Sequence, residues 1–213
     1  LLRHTTEELR ELITKSQEMY PKIWPGIKWS ERKMQWTAPS GATLWMSYLD
    51  KDQDVTKYQG LAFSWIGFDE LTQWATPFAW NYMRSRLRSA DPELPLCMRA
   101  TTNPGGRGHH WVKKMFIDPS PAGKSFIATD IETGEPLKYP SGHAKAGRPL
   151  FKRRFIPARL KDNPYLSQQG DYEAMLLSLP EQQRRQLLDG DWDIKEGAAF
   201  TEFNRHDHVI EPF

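Results

Sequence analysis

Asp69 and Glu70 stand side by side at the end of the apolar run Leu61-Ala-Phe-Ser-Trp-Ile-Gly-Phe68, and the polar Thr72 and Gln73 do not continue it. Two adjacent carboxylates have a specific use there. The first can hold Mg²⁺, directly or through water, while the second orients and deprotonates a water that attacks a phosphate. An ordinary strand that ends in a solvated acidic turn has the same residues, so the pair alone divides evenly between the two readings. Residues 94–103 change the balance: they read as a second buried apolar strand, ending in Thr101, Thr102 and Asn103 and stopped by Pro104-Gly105-Gly106. Hydroxyls and an amide beside the acids can sense a γ-phosphate or hold the lytic water. The candidate catalytic residues are therefore Glu70, Thr102 and Asn103. Asp69 and Glu70 are the candidate nucleotide-binding pair, with Asp69 the Mg²⁺ ligand.

The elements that must position these side chains follow from pattern. A short continuous apolar run suits a buried parallel strand, and open α/β sheets place their sites beyond the carboxyl ends of such strands. Residues 77–88 are helix-like, with Phe78, Tyr82 and Leu87 set against Arg84, Arg86 and Arg88. Strand, helix, strand is a right-handed crossover, so the two strands are parallel and neighbouring, and their ends emerge together.

Residues 65–71, Trp-Ile-Gly-Phe-Asp-Glu-Leu, resemble the Walker B motif of the large terminase subunit of tailed bacteriophages and their prophages, and residues 100–106, Ala-Thr-Thr-Asn-Pro-Gly-Gly, resemble its coupling motif. Gly190-Asp-Trp-Asp193 followed by Gly197-Ala-Ala-Phe200 is similar to the end of that family's ATPase domain. The resemblance implies an α/β fold: an incomplete P-loop-NTPase-type (ASCE) parallel sheet flanked by helices, with an added β-hairpin and without the phosphate-loop strand. It implies that residues 1–195 are the later part of the ATPase (motor) domain and 196–213 a linker toward a nuclease domain. The implied cofactors are ATP and Mg²⁺, and the implied activity is ATP hydrolysis that drives DNA into a capsid. Implied partners are double-stranded DNA, the phage portal protein and the small terminase subunit, with a homo-oligomeric ring in the complete protein and no membrane. The implied location is the host bacterial cytoplasm, transiently at the procapsid portal.

In that family the phosphate loop precedes the residues seen here and the nuclease acids follow them, so these residues alone are expected not to hydrolyse ATP. Related motors carry an arginine shortly before Walker B that reaches a neighbour's γ-phosphate. Gln59 stands there, leaving Lys57 or Arg84 as substitutes. Two other readings stay open: another P-loop nucleic-acid motor such as a helicase, and a non-enzymatic prophage remnant that binds through a basic, tryptophan-rich surface.

Composition excludes several classes. With 38% hydrophobic and 26% charged residues over 213 positions, the chain is one or at most two globular domains. No apolar run approaches the roughly 18 residues of a membrane span, and no signal-peptide pattern opens the chain. The net charge of +2 is neutral on nucleic acid, but Lys113-Lys114, Lys152-Arg153-Arg154 and Arg184-Arg185 concentrate the positive charge, each reading first as a solvated face. The single Cys97 allows no internal disulfide and reads as an inert core thiol within its strand.

The remaining segments frame these. Thr5 and Glu8 form a capping-box pattern opening a helix over 6–19, ended by Pro21 and Pro25-Gly26, while Leu1-Leu2-Arg3 reads as the last turn of something earlier. Residues 34–49 read as a hairpin, with strands 34–38 and 42–48 about the turn 39–41. The acidic loop 50–54 mimics a calcium loop but has Val55 where glycine is required. His109 and His110 are adjacent, which suits surface or stacking roles better than a shared metal. Pro121-Ala-Gly-Lys-Ser125 imitates a phosphate loop but fails as one: Asp118 stands where the first glycine belongs, and Pro119 and Pro121 lack the needed amides. Beyond it the pattern predicts a strand at 126–129, an open loop or hairpin over 130–150, a strand at 153–160, a turn at 162–165, and helices at 168–179 and 181–188 stopped by Gly190. Asp189, Asp191 and Asp193 alternate about Trp192, where the resemblance implies a structural strand leaving the motor domain rather than a metal site.

Overall fold

A computed structural model of the chain describes residues 1–167 and 170–194. They fall into two compact units, Leu1–Ile156 and the residues from Pro157 onward.

The first unit opens with β1 (Leu2–Arg3), which is not the end of a preceding turn as its sequence suggests but an inner strand of a parallel sheet. Two residues carry too little pattern to be read as a strand. What fixes them is pairing on both sides. Helix α1 (Thr6–Ile23) follows at once, opened by the expected capping box: the Thr5 hydroxyl accepts from the Glu8 amide while the Glu8 carboxylate accepts from the Thr5 amide, each at 3.3 Å. The helix runs through Pro21 and past the expected end, and Tyr20 packs against Trp24 and Trp36 at ring separations of 5.2 and 5.4 Å.

The predicted hairpin is larger than its sequence suggests. Strands β2 (Lys28–Ser30), β3 (Gln35–Thr37) and β4 (Thr43–Trp45) form an antiparallel sheet, and β5 (Ser47–Tyr48) leaves it to pair in parallel with β1. Leu9 and Ile13 of α1 bury against Trp36 and Met46, and the buried Ser16 hydroxyl accepts from the Trp36 indole at 3.0 Å while donating to the Ile13 carbonyl at 2.7 Å. Fully buried apolar side chains of this size contribute roughly 1.5–3 kcal/mol each.

Strand β6 (Trp65–Asp69) carries the acids, and helix α2 (Phe78–Arg84) connects it to β7 (Cys97–Thr101), parallel and adjacent as predicted. Among the described residues the main sheet has four strands in the order β5-β1-β6-β7. Both flanking segments are shorter than expected for one reason: Phe63 pairs with Leu87 as an isolated bridge, pulling residues 61–64 out of the strand and ending the helix before Arg88. β7 is not the buried strand its apolar sequence predicts. Among the described residues it is an edge strand, with Leu94 and Leu96 before it at 43% and 46% exposed and Cys97 only half-buried, and composition does not reveal which side of a strand has a neighbour.

Helix α3 (His109–Val112) runs into a π-helical turn (Lys113–Ile117) and buries Trp111, Val112 and Met115. Strands β8 (Ser125–Ile127) and β9 (Lys152–Arg154) pair antiparallel, with the predicted open hairpin between them. The strand expected over 153–160 thus begins one residue earlier and ends at Arg154. One member of a basic cluster leaves the solvated face: between the exposed Lys152 and Arg154, Arg153 is buried, donates to the Thr129 carbonyl at 3.0 Å, and lies over the rings of Phe116 and Phe151.

The second unit holds a 3₁₀ turn (Leu160–Asp162) and helices α4 (Pro164–Ser167), α5 (Asp171–Leu177) and α6 (Glu181–Leu187). Gly190, at φ 62°, turns the chain after α6 as predicted. Residues 190–194 form a turn rather than the expected strand: Arg185 donates to Asp191 at 2.9 and 2.5 Å, and the Asp193 amide reaches the other Asp191 oxygen at 2.8 Å. The start of the helix predicted over 168–179, the linker 196–213 and Gly197-Ala-Ala-Phe200 lie wholly or partly outside the described residues.

Candidate active site

β6 ends in Asp69, and its parallel register with β7 sets Thr101 opposite Asp69. The Thr101 hydroxyl donates to Asp69 Oδ1. On the other side β1 aligns Leu2 with Phe68, which puts Arg3 level with Asp69, and Arg3 Nη1 donates to Asp69 Oδ2 at 2.5 Å. Arg3 Nη1 also lies 4.0 Å from Glu70 Oε1, and Arg3 Nε lies 3.6 Å from Glu8 Oε2. Three strands and the first turn of α1 thereby bring one guanidinium and three carboxylates to one end of the sheet.

Glu70 itself is left-handed, at φ 59° and ψ 56°. A non-glycine residue pays for that conformation in steric strain, and such residues gather at functional sites. Burial is the main cause that raises its carboxyl pKa, with the Asp69 charge adding to it, while Arg3 and the backbone N–H of Asn103 pull the other way.

After Glu70 the chain makes a 3₁₀ turn, Leu71–Gln73, and the loop that follows β7 is built directly onto it. The Thr102 hydroxyl accepts from the Thr72 amide at 3.1 Å and lies 2.8 Å from the Thr72 hydroxyl, which in turn donates to the Asn103 carbonyl at 3.2 Å. Gly108 donates to the Thr72 carbonyl at 2.7 Å, and the Trp111 indole to the Trp74 carbonyl at 2.8 Å. A side chain at Gly108 would place its Cβ 2.2 Å from the Trp74 carbonyl oxygen, so only glycine permits this approach. His109 is tied inward rather than displayed, its Nδ1 accepting from the Gly105 amide at 2.8 Å.

Sequence reasoning brought Asp69, Glu70, Thr102 and Asn103 to one place, and they lie there. Their contacts are distributed differently from expectation. Thr101 reaches Asp69, the Asn103 backbone reaches Glu70, and Thr102 holds the turn between them. Arg3 and Glu8 were missed, and only the strand register of β1 could have revealed them. The two substitutes for a finger are occupied within the chain: Lys57 Nζ donates to the Tyr48 carbonyl at 2.8 Å, and Arg84 stacks 4.2 Å over Phe151.

The donor set suits a hard cation. Asp69, Glu70 and Thr101 offer oxygens only, and Mg²⁺ is ordinarily held by one or two carboxylates with water and phosphate completing the shell. Among the described residues no group of three or more His, Cys, Asp or Glu is placed to hold a metal ion by itself. Among the described residues no helix is long and apolar enough to cross a membrane.

The chain is similar to known proteins. The family described as terminase large subunit, T4likevirus-type, N-terminal, matches residues 2–207. Among solved structures, the large terminase of a thermophilic bacteriophage in complex with ADP superposes with a TM-score of 0.61 at 17% identity. That match covers 100% of this chain and 46% of the phage protein, so the chain spans less than half of that relative's length. No curated protein matches the chain.

Proposed function

We infer the function from one premise: this chain belongs to the terminase large subunit family, T4likevirus-type, and matches its N-terminal part. These residues form part of an ATP-driven motor that packages double-stranded DNA into a phage capsid. They carry its hydrolytic carboxylates. The observation that supports this most is the Asp69–Glu70 pair at the carboxyl end of a buried parallel strand, with Thr101 and the Asn103 amide delivered onto it by the next strand. The ADP in the thermophilic phage's terminase adds support for a nucleotide as the ligand.

Glu70 acts as the general base. Burial and the neighbouring Asp69 make its carboxylate more basic than usual, which suits it to take a proton from water, and the Asn103 amide fixes where that carboxylate sits. Asp69 would hold Mg²⁺, and the metal when bound neutralises charge on the β- and γ-phosphates. Asn103 and Pro104-Gly105-Gly106 couple hydrolysis to DNA movement through the turn at Thr72, with Thr102 as the joint. Residues 1–195 belong to the motor domain in this reading, in its later part, and 196–213 lead toward a nuclease domain. The portal protein and the small terminase subunit are its partners, and a homo-oligomeric ring at the procapsid in the host cytoplasm is its working form.

The test is made in the complete protein. Glu70→Gln keeps affinity for a fluorescent ADP analogue while phosphate release stops, because an amide cannot accept the proton. Asp69→Ala loses the Mg²⁺-dependent part of nucleotide binding. Equal loss of binding in both variants would overturn this division of roles. In Asn103→Ala, packaging falls at least as far as hydrolysis, and normal packaging would leave Asn103 a turn residue only.

A further inference from the structure

We propose that Arg3 is a positioning residue that acts as a latch: it occupies the Asp69 carboxylate before the metal arrives and moves onto Glu8 when Mg²⁺ takes its place. The proposal rests on the reading of Asp69 as the metal ligand. Asp69 Oδ1 accepts from Thr101 and Oδ2 from Arg3 at 2.5 Å, so a cation that binds Asp69 at Oδ2 is set directly beside the Arg3 guanidinium. Thr101 is a neutral hydroxyl that can stay beside a metal-bound carboxylate. A guanidinium cannot share the same oxygen with a dication without like-charge repulsion.

The landing place for Arg3 is already in reach. Its Nε is buried and has no hydrogen-bond partner, yet lies 3.6 Å from Glu8 Oε2. A buried guanidinium N–H without an acceptor is costly, so a small rotation toward Glu8 satisfies it as the bond to Asp69 is released. Glu8 is held ready by the capping box, its carboxylate accepting from the Thr5 amide at 3.3 Å. The Arg3 side chain is only 15% exposed, which keeps this exchange between carboxylates of the protein rather than with solvent. Arg3 thus compensates part of the charge of Asp69, Glu70 and Glu8 until Mg²⁺ does.

The experiment is a Mg²⁺ titration of fluorescent ADP analogue binding by the complete protein, in wild type, Arg3→Gln, Glu8→Gln and the double variant. Gln keeps the capping box at position 8. Removing the latch lowers the Mg²⁺ midpoint by about tenfold, the scale of one lost charged hydrogen bond. Removing its landing place raises the midpoint, and only while Arg3 is present, so the two effects are not additive. Additive effects, or an unchanged or raised midpoint in Arg3→Gln, would overturn the latch, as would weaker binding of ADP in the absence of Mg²⁺, which would assign Arg3 to phosphate. Should Arg3→Gln fail to fold, Arg3→Lys carries the same cycle, since an ammonium lacks the fork that spans two carboxylates and its coupling to Glu8 falls too. Asp69→Asn is the control for the premise. A midpoint indifferent to Asp69→Asn overturns the metal role of Asp69 itself, and an additive cycle with a sensitive Asp69 overturns the latch alone.

Discussion

The glycine-containing stretches 103–108 and 118–125 invite comparison, and the second has the more familiar letters. Its Gly-Lys-Ser imitates a phosphate loop. In the structure its Gly123 adopts φ +80° with open space around the absent side chain. By contrast, Gly106 and Gly108 press against the backbone of Thr72 and Trp74, one turn after the carboxylates. The difference teaches that a functional loop is recognised by what it is built against. Letters that recur without such a neighbour mark only a bend.

Substitution should separate the two loops most sharply at Gly108. Gly108→Ala drives a Cβ into the Trp74 carbonyl and is expected to cost about 3 kcal/mol, the upper end for overpacking, read by urea unfolding of the chain. A cost below that of Gly123→Ala would break the contrast. Thr101→Val removes a donor from a mostly buried carboxylate and is expected to cost about 1.5 kcal/mol in the same assay. Gly123→Ala has room but keeps the unfavourable backbone, so about 1 kcal/mol is expected.

A smaller effect distinguishes the carboxylate by pH. The Glu70 carboxyl pKa is raised in the folded chain, so folding favours its protonated form. Stability tied to it is full in acid, below the unfolded pKa, and is lost as pH rises through the folded value. Glu70→Gln should therefore melt slightly higher than wild type at neutral pH and equally with it in acid. A difference that grows on acidification would contradict the assigned direction. Smallest of all, Lys124→Ala should leave nucleotide affinity of the complete protein unchanged, and a loss there would restore the imitation loop to consideration.

How much could be read in advance depended on the range of the information needed. Asp69, Glu70 and the 101–103 segment were legible because an apolar run, a crossover and a second run are local patterns with one favoured handedness. The capping box at Thr5 and Glu8 was legible for the same reason. Arg3 was not, since its role comes from a two-residue strand paired to segments far away in sequence. The outward position of β7 was hidden too: Leu94, Leu96 and Cys97 look alike whether a neighbouring strand covers them or not. Arg153 was misread because a charged run shows nothing of the Phe116 and Phe151 rings that bury it.

The bonds between residues 72–74 and 102–111 have one more consequence, for exchange with solvent. The Thr72 amide is closed by the Thr102 hydroxyl and the Gly108 amide by the Thr72 carbonyl, so neither can open without releasing the other segment. Amides thirty or more residues apart should then trade hydrogen for deuterium at a common rate, as one cooperative unit. The left-handed Glu70 sits at the margin of that unit, and its conformation lasts as long as the unit stays shut.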